Sequence, residues 1–395
     1  MTQRASFEHL KFSSPEIWRE VIKVMGEIEA LVWDDPLVTD DLTRAEGVRQ
    51  LTRLIAGGFP ITMEMIDPDY PQFLQLLSTR VQWGLPSADC HYVWAPLHGD
   101  NVYRIVGDRG TARVIDLEVR EDHIAHLGDW KLFHRLQELE VGPNNQVEII
   151  ASRERPTNAA NWLQLPEGPC NVIFRNYFYD WDTEQAARLT IITEGKPYPP
   201  PALTENAIRR NLELFCDLLR EMPAGFRQTV GEYYRAPTDK LSFDGINYGF
   251  ASLSYGKSTY DIADDEALIL EIELPKTKFW NIQIGSHFWE ARDYHLRQTS
   301  LNGHQAHIDN DGVFRAVISH KDPGVANWLD TGGHSKGLIT VRYFEAESIL
   351  PTRIQRTKLS QVAALLPQET AQVSAEERQR ILQKRAWSFP RIGRE

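Results

Sequence analysis

The chain has 395 residues, 42% of them hydrophobic and 25% charged, too much for one core and enough for two or three globular domains. A net charge of -12 sets most of the surface against phosphate and excludes nucleic acid as a partner. No apolar run approaches the roughly 18–20 residues that cross a bilayer, the opening MTQRASFEHLKF lacks a signal peptide's apolar core, and Cys90, Cys170 and Cys216 are too scattered for disulfides or a thiolate zinc site. The expectation is a soluble, cytoplasmic protein with no membrane partner.

Ser14 and Pro15 open a predicted helix that carries Trp18, Val21, Met25, Ile28 and Val32 at helical spacing. A second follows, capped by Asp41, with Leu42, Ala45, Leu51 and Ile55 along one side and Gly57-Gly58 as its stop. From about Phe73 the texture turns to β-branched and aromatic runs between turn signals, such as Asn101–Ile105 and Ala112–Val119 around Gly107-Asp-Arg-Gly110. Gly195-Lys-Pro-Tyr-Pro-Pro-Pro201 cannot continue a ladder and reads as a stiff linker. Ile208, Leu212, Phe215, Leu219 and Met222 then form a helical stripe that Pro223 is expected to end. A second β region runs from about Ala267 to Tyr343, and Ser374 with Glu377 forms a capping box for a charged helix before the tail Trp387-Ser-Phe-Pro-Arg.

The predicted class is mainly β with helical accessory segments. It comprises an N-terminal helical region (1–65), a first β-sandwich (66–195), a linker and helix (196–225), a second β-sandwich or jelly roll (226–350) and a helical tail (351–395). Duplication relates the two sandwiches, because Ala160-Asn-Trp-Leu163 recurs as Ala326-Asn-Trp-Leu329. Similar flanks precede each copy, from Val147 and from Val313, and each copy leads to a strand carrying a basic residue with aromatics, Arg175 in one and Arg342 in the other. In each, the Asn amide suits turn closure and the Trp suits covering an open end. A buried Arg175 or Arg342 needs a carboxylate or an anionic ligand.

Four segments resemble the bacterial family known as domain of unknown function 1214, often found with a companion unit, domain of unknown function 1254. They are Tyr103-Arg-Ile-Val-Gly-Asp-Arg-Gly-Thr111, Phe178-Tyr-Asp-Trp-Asp-Thr-Glu184, Asp293-Tyr-His-Leu-Arg-Gln-Thr-Ser-Leu-Asn302 and Asp322-Pro-Gly-Val-Ala-Asn-Trp-Leu-Asp-Thr-Gly-Gly-His334. The resemblance implies two β-sandwich or jelly-roll domains with a helical accessory part, and it supplies no catalytic residues.

Six of the 12 histidines (His287, His295, His304, His307, His320 and His334) fall within 48 residues of the second β region. Alternation from Trp280 puts Asn281, Gln283 and His287 on one strand face, which either meets solvent or lines a concave pocket. His287, Glu290 and His295 are metal-ligand types, but on a strand His287 and Glu290 point to opposite faces, so no metal is expected. Asp309-Asn-Asp-Gly312 reads as a tight turn, not a calcium loop.

In Tyr179-Asp-Trp-Asp-Thr-Glu184, an extended chain puts Asp180, Asp182 and Glu184 on one face and Tyr177, Tyr179 and Trp181 on the other, and paired carboxylates beside aromatics suit acid/base work. Asp330 and His334 flank a Gly-Gly pair and form a candidate orienting pair for a general base. No G-x-S-x-G elbow, dinucleotide fingerprint or P-loop occurs, so no cofactor is implied.

The expected function is a cofactor-independent enzyme of small-molecule catabolism, a lyase, hydrolase or isomerase using acid/base chemistry in an aromatic-walled pocket of the β domains. Its catalytic candidates are His287, His295, His334, Asp330, Glu290 and Asp180. Arg342 and Arg175 are candidates for binding an anion. Trp289, Trp328, Asn281, Gln283, Tyr294, Tyr179 and Trp181 complete the binding set. The expected partner is a small molecule of aromatic, terpenoid or glycosidic character, with homo-oligomerisation open. The alternative is a non-catalytic carbohydrate- or protein-binding module, since sandwiches host both.

Overall fold

The computed structural model describes residues 4–64, 66–243 and 253–392. The first helix, Glu16–Glu27, buries Ile17, Val21 and Val24, and a separate turn of helix follows at Ala30–Trp33. Trp18 falls on the exposed side, one position off the buried stripe. Asp40, not Asp41, caps the helix Asp41–Phe59, because Asp40 is extended and its Oδ1 accepts the Thr43 N–H at 2.8 Å. Gly57 and Gly58 do not stop this helix, which continues into a π turn at Pro60–Glu64. A Cβ on Gly58 would stand 2.9 Å from the Phe215 ring, so this glycine serves close helix packing instead.

Pro223 likewise fails to end its helix, which runs from Glu205 to Arg235. Phe226, Val230 and Tyr233 beyond it are buried, and that burial offsets the one backbone bond a proline removes. The capping box forms as expected, with Ser374 N–H donating to Glu377 Oε2 at 2.8 Å and Glu377 N–H to Ser374 Oγ at 3.2 Å. The helix Ala375–Ile392 that it starts takes in Trp387 and Phe389 of the tail.

The chain forms two compact units, each made of separate stretches. The first contains residues 4–81, 91–176 and 186–227, and the second 82–90, 177–185 and 228–392. In the first unit the principal sheet has the order Leu74–Leu77, Cys90–His98, Pro169–Tyr177, Val114–Glu121, Leu132–Leu136. Its companion runs Asn161–Gln164, Gln146–Ser152, Tyr103–Asp108, Arg188–Thr193.

The second unit repeats this plan. One sheet runs Leu253–Asp261, Lys336–Phe344, Phe279–Gly285, Ser300–Asn302, and the other Trp328–Asp330, Val313–Ser319, Glu266–Glu273, Thr352–Lys358. Apart from the extra edge strand Leu74–Leu77, the orders match strand for strand. The second β region therefore starts earlier than Ala267 and ends later than residue 350, since both outer strands, Leu253–Asp261 and Thr352–Lys358, are paired along their length. Trp280, Ile282 and Ile284 of one sheet meet Leu268, Leu270 and Phe314 of the other in the core of this unit.

The Asn-Trp pairs do the same work in both copies. Asn161 Oδ1 accepts the Glu140 N–H at 2.8 Å, and its Nδ2 donates to the Glu140 and Glu148 carbonyls at 2.9 and 3.0 Å. Asn327 Oδ1 accepts the His307 N–H at 2.9 Å, and its Nδ2 donates to the His307 and Arg315 carbonyls at 2.6 and 2.8 Å. Each amide satisfies three backbone groups where a short strand joins its neighbour. Trp162 and Trp328 each donate their indole N–H to Ser152 Oγ or the Ser319 carbonyl, at 3.1 and 3.2 Å. The Asp309–Gly312 segment is a turn, with Gly312 at φ 82° and its N–H on the Asp309 carbonyl at 2.9 Å.

Candidate functional site

The polar strand face centred on Asn281 and Gln283 is buried against the segment Gln82–Cys90 of the same unit. Gln283 Oε1 accepts the Ala88 N–H and its Nε2 donates to the Pro86 carbonyl, both at 2.9 Å. Asn281 Nδ2 donates to Ser87 Oγ and Asp89 Oδ2, both at 2.8 Å. Asp89 also accepts the Trp181 indole N–H at 2.9 Å and Asn302 Nδ2 at 2.6 Å. Burial raises the Asp89 carboxyl above its usual range, against these three donors and the Arg385 charge. Arg385 itself is pushed down to about 10 by burial, partly opposed by Asp89. The protein's own chain thus occupies this face.

The other candidates of the second unit have structural partners. Arg342 donates to the Leu85 carbonyl and lies 5.5 Å from the Tyr255 ring centre. Asp330 accepts Arg297 and the Gly332 N–H, each at 2.8 Å, so both its oxygens are engaged apart from His334. Asp180 closes a local turn by accepting the Asp182 N–H and the Thr183 hydroxyl at 2.9 and 2.8 Å. Trp181, Trp328 and Tyr294 are buried, Tyr179 receives the Trp280 N–H at 3.1 Å, and Trp289 packs over Gly84. Glu290 is buried with its N–H on Ser286 Oγ, His287 is tilted against Phe288 with ring centres 4.0 Å apart, and His295 lies 5.9 Å from the Phe389 ring centre.

Arg175 finds the carboxylate partners that its burial demands. On the strand Val114–Glu121, alternation presents Asp116, Glu118 and Arg120 to one face. Arg175 reaches Glu118 at 2.8 Å and Asp116 at 3.3 Å, Arg135 reaches Asp116 at 2.5 Å, and Arg120 reaches Glu118 at 2.9 Å. Burial and the adjacent Glu118 raise Asp116. Glu118 is held low, because Arg175 and Arg120 outweigh the effect of its burial. In the second unit, the corresponding strand carries amides, Asn281 and Gln283, in place of charges.

A cavity of about 460 Å³ lies within the first unit. One face of the long helix supplies Arg210, Glu213, Leu214 and Asp217, spaced so that they stack along neighbouring turns. A turn after the strand Val114–Glu121 supplies Asp122, His123 and His126, and the N-terminal Arg4 and Ala5 close one side. His126 is clamped between two carboxylates, Nδ1 to Asp122 at 3.0 Å and Nε2 to Asp217 at 3.3 Å. Burial alone would lower this imidazole, but the two carboxylates override it and push it up to about 9. His123 shows the opposite shift, lowered to about 4 by burial, with Nε2 on the Ile61 carbonyl at 3.1 Å and Nδ1 accepting the Ala125 N–H at 3.1 Å. Cys170 on the wall has its thiol pushed up to about 12 by burial, which makes it unreactive.

None of the six predicted catalytic residues lines this cavity. The sequence reading passed over Asp122, His126 and Asp217. A signal existed, since Asp122 and His126 are four apart and Asp217 stands beside the apolar helix stripe, but their meeting across 91 residues is tertiary. Among the described residues, no three or more His, Cys, Asp or Glu side chains are placed to hold a metal, and no helix is long and apolar enough to cross a membrane.

No curated protein matches the chain. An uncharacterised protein of Burkholderia cenocepacia has a similar crystal structure, with a TM-score of 0.83 and 26% identity over 89% of this chain and 99% of that one. A protein of Vibrio parahaemolyticus aligns over 79% of this chain and 98% of its own, with a TM-score of 0.45 and 11% identity. The family model described as Protein of unknown function (DUF1214) matches residues 95–179 and 256–348, one stretch in each repeat. Over these two stretches the chain is similar to that family.

Proposed function

We propose that the chain is a cofactor-independent enzyme of small-molecule catabolism, and that the cavity of its first unit is where acid/base chemistry takes place. The observation that carries this is His126, held as an imidazolium between Asp122 and Asp217 inside that cavity, three residues from a neutral His123. Neighbouring titratable groups whose environments drive them apart are how one fold keeps an acid and a base side by side. Asp122 on Nδ1 fixes the ring. The contact of Nε2 with Asp217 is the longer of the two, so a substrate oxygen that takes its place receives the imidazolium N–H as a proton donor or oxyanion support. Asp217, released from Nε2, is the proton acceptor. Lyase, hydrolase and isomerase reactions all fit this pairing.

The non-catalytic alternative needs an exposed aromatic platform on the sandwiches; Trp181, Trp328 and Tyr294 are buried, and the exposed Trp18, Trp33 and Trp387 lie on helices outside the sheets. All three cysteines are free thiols, which supports a cytoplasmic setting. The test is consumption of small carbonyl and carboxylate compounds by the full chain, followed by mass spectrometry. Turnover that drops about a hundredfold or more in both His126→Gln and Asp217→Asn supports the proposal. A compound consumed equally by the variants removes this site, and a compound bound in the cavity but never consumed favours the binding module.

A further inference from the structure

The polar rim of the cavity differs from its walls in a way that selects a ligand. Ile66, Pro68, Pro96, Leu97, Pro169 and Leu214 give an apolar lining with few donors, since proline has no N–H. The carboxylates at the rim already receive hydrogen bonds from the protein. Asp217 Oδ1 takes the Ala5 N–H at 2.6 Å while Oδ2 faces His126, Glu213 Oε1 takes the Phe7 N–H at 2.5 Å, and Asp122 Oδ1 takes the His123 N–H at 2.6 Å.

The cations are arranged differently. Arg4 reaches Asp129, Glu221 and Asp122, but Arg210, exposed on the lining face of the helix, has no ion pair among the described residues. His98 Nδ1 is turned toward Asp100, 3.3 Å from its backbone N and 3.5 Å from its carboxylate, which leaves Nε2 as the ring nitrogen available to a ligand. Beyond carboxylates that already hold hydrogen bonds from the protein, the rim offers a ligand the Arg210 guanidinium and the His98 ring.

We propose that the cavity binds an apolar carboxylic acid, its carboxylate on Arg210 and His98 Nε2 and its hydrocarbon body along the proline and leucine walls. This rests on the catalytic reading for what happens to the ligand, but not for its binding. A sugar, with hydroxyls to satisfy all round, does not suit such walls. An acid anchored at this rim exposes its body to His126, as an acid/base enzyme acting on the remainder of the molecule requires.

The experiment is calorimetric titration of the full chain with octanoate, octanamide and gluconate at neutral pH. Octanoate should bind about tenfold or more tightly than the other two, and Arg210→Gln should remove about that factor for octanoate while leaving octanamide unchanged. Circular dichroism of the variant checks that it folds, and His98→Phe repeats the test from the other anchor. Octanamide or gluconate binding as well as octanoate overturns the proposal, as does octanoate affinity that both variants leave intact. Octanoate binding without any turnover in the compound library leaves this inference standing and removes the enzyme. Turnover of a neutral compound that depends on His126, with no octanoate binding, does the reverse.

Discussion

His123 and His126 lie on one turn of chain and carry opposite charge states at neutral pH, the first neutral and the second an imidazolium. His126 is raised from 6.5 to about 9, so its contribution to stability is complete below about 6.5 and is lost as pH climbs through 9. His123 is lowered from 6.5 to about 4, so its contribution is complete above 6.5 and is lost as pH falls through 4. For these two groups stability peaks near 6.5, and urea midpoints between pH 4 and 9.5 should show it. His126→Gln should flatten the alkaline limb by about 1–2 kcal/mol after discounting for solvent screening. An alkaline limb of the same slope in the variant counts against the clamp.

The buried charges around Arg175 make a separate test. Removing one partner strands the others, so Arg175→Met or Glu118→Gln should each cost about 3–5 kcal/mol in urea denaturation. Replacing Arg175 and Glu118 together by Met and Leu should cost less than the sum of the single changes. Strict additivity would mean the two side chains do not interact.

Asn161 and Asn327 each hold three backbone groups, so Asn161→Ala and Asn327→Ala should each destabilise by roughly 2–4 kcal/mol. The matching bond sets predict matching losses. A large cost in one copy and none in the other would show that one of the two amides is dispensable.

Asp330→Ala removes a pair with the half-exposed Arg297 and a turn-closing acceptor, and about 1 kcal/mol of stability should go with it. Turnover should survive this change and also His334→Ala, since neither residue lines the first unit's cavity. Loss of turnover in a folded Asp330→Ala protein would return the chemistry to the second unit.

The fold was legible where the signal was local or repeated. The Asn-Trp echo and its flanks foretold two copies of one sandwich, and the copies match in strand order and down to the bonds of Asn161 and Asn327. Punctuation misled where packing overrode it, as when Gly57-Gly58 became a helix contact and Pro223 stayed inside a helix of 31 residues. The site was far less legible. Clustering in sequence drew attention to the histidines between 287 and 334, whereas the cavity is assembled from the N-terminus, a turn at 122–126 and a helix face at 210–217. Asn281 and Gln283 looked like pocket residues because a polar strand face has that pattern whether a ligand or a stretch of the same chain fills it.

The second unit borrows residues 82–90 and 177–185 from the middle of the sequence of the first. Asp89 leaves the ribosome long before Asn281 and Asn302, the side chains that donate to it, and Trp181 long before Arg385 and Phe389, which pack on its ring. At a synthesis rate of about 5–20 residues per second, a buried carboxylate and an indole wait on the order of ten seconds for their sockets to be made. An expression fragment cut at residue 227 would carry both orphaned segments, so the two halves should be dissected by point substitution and not by truncation.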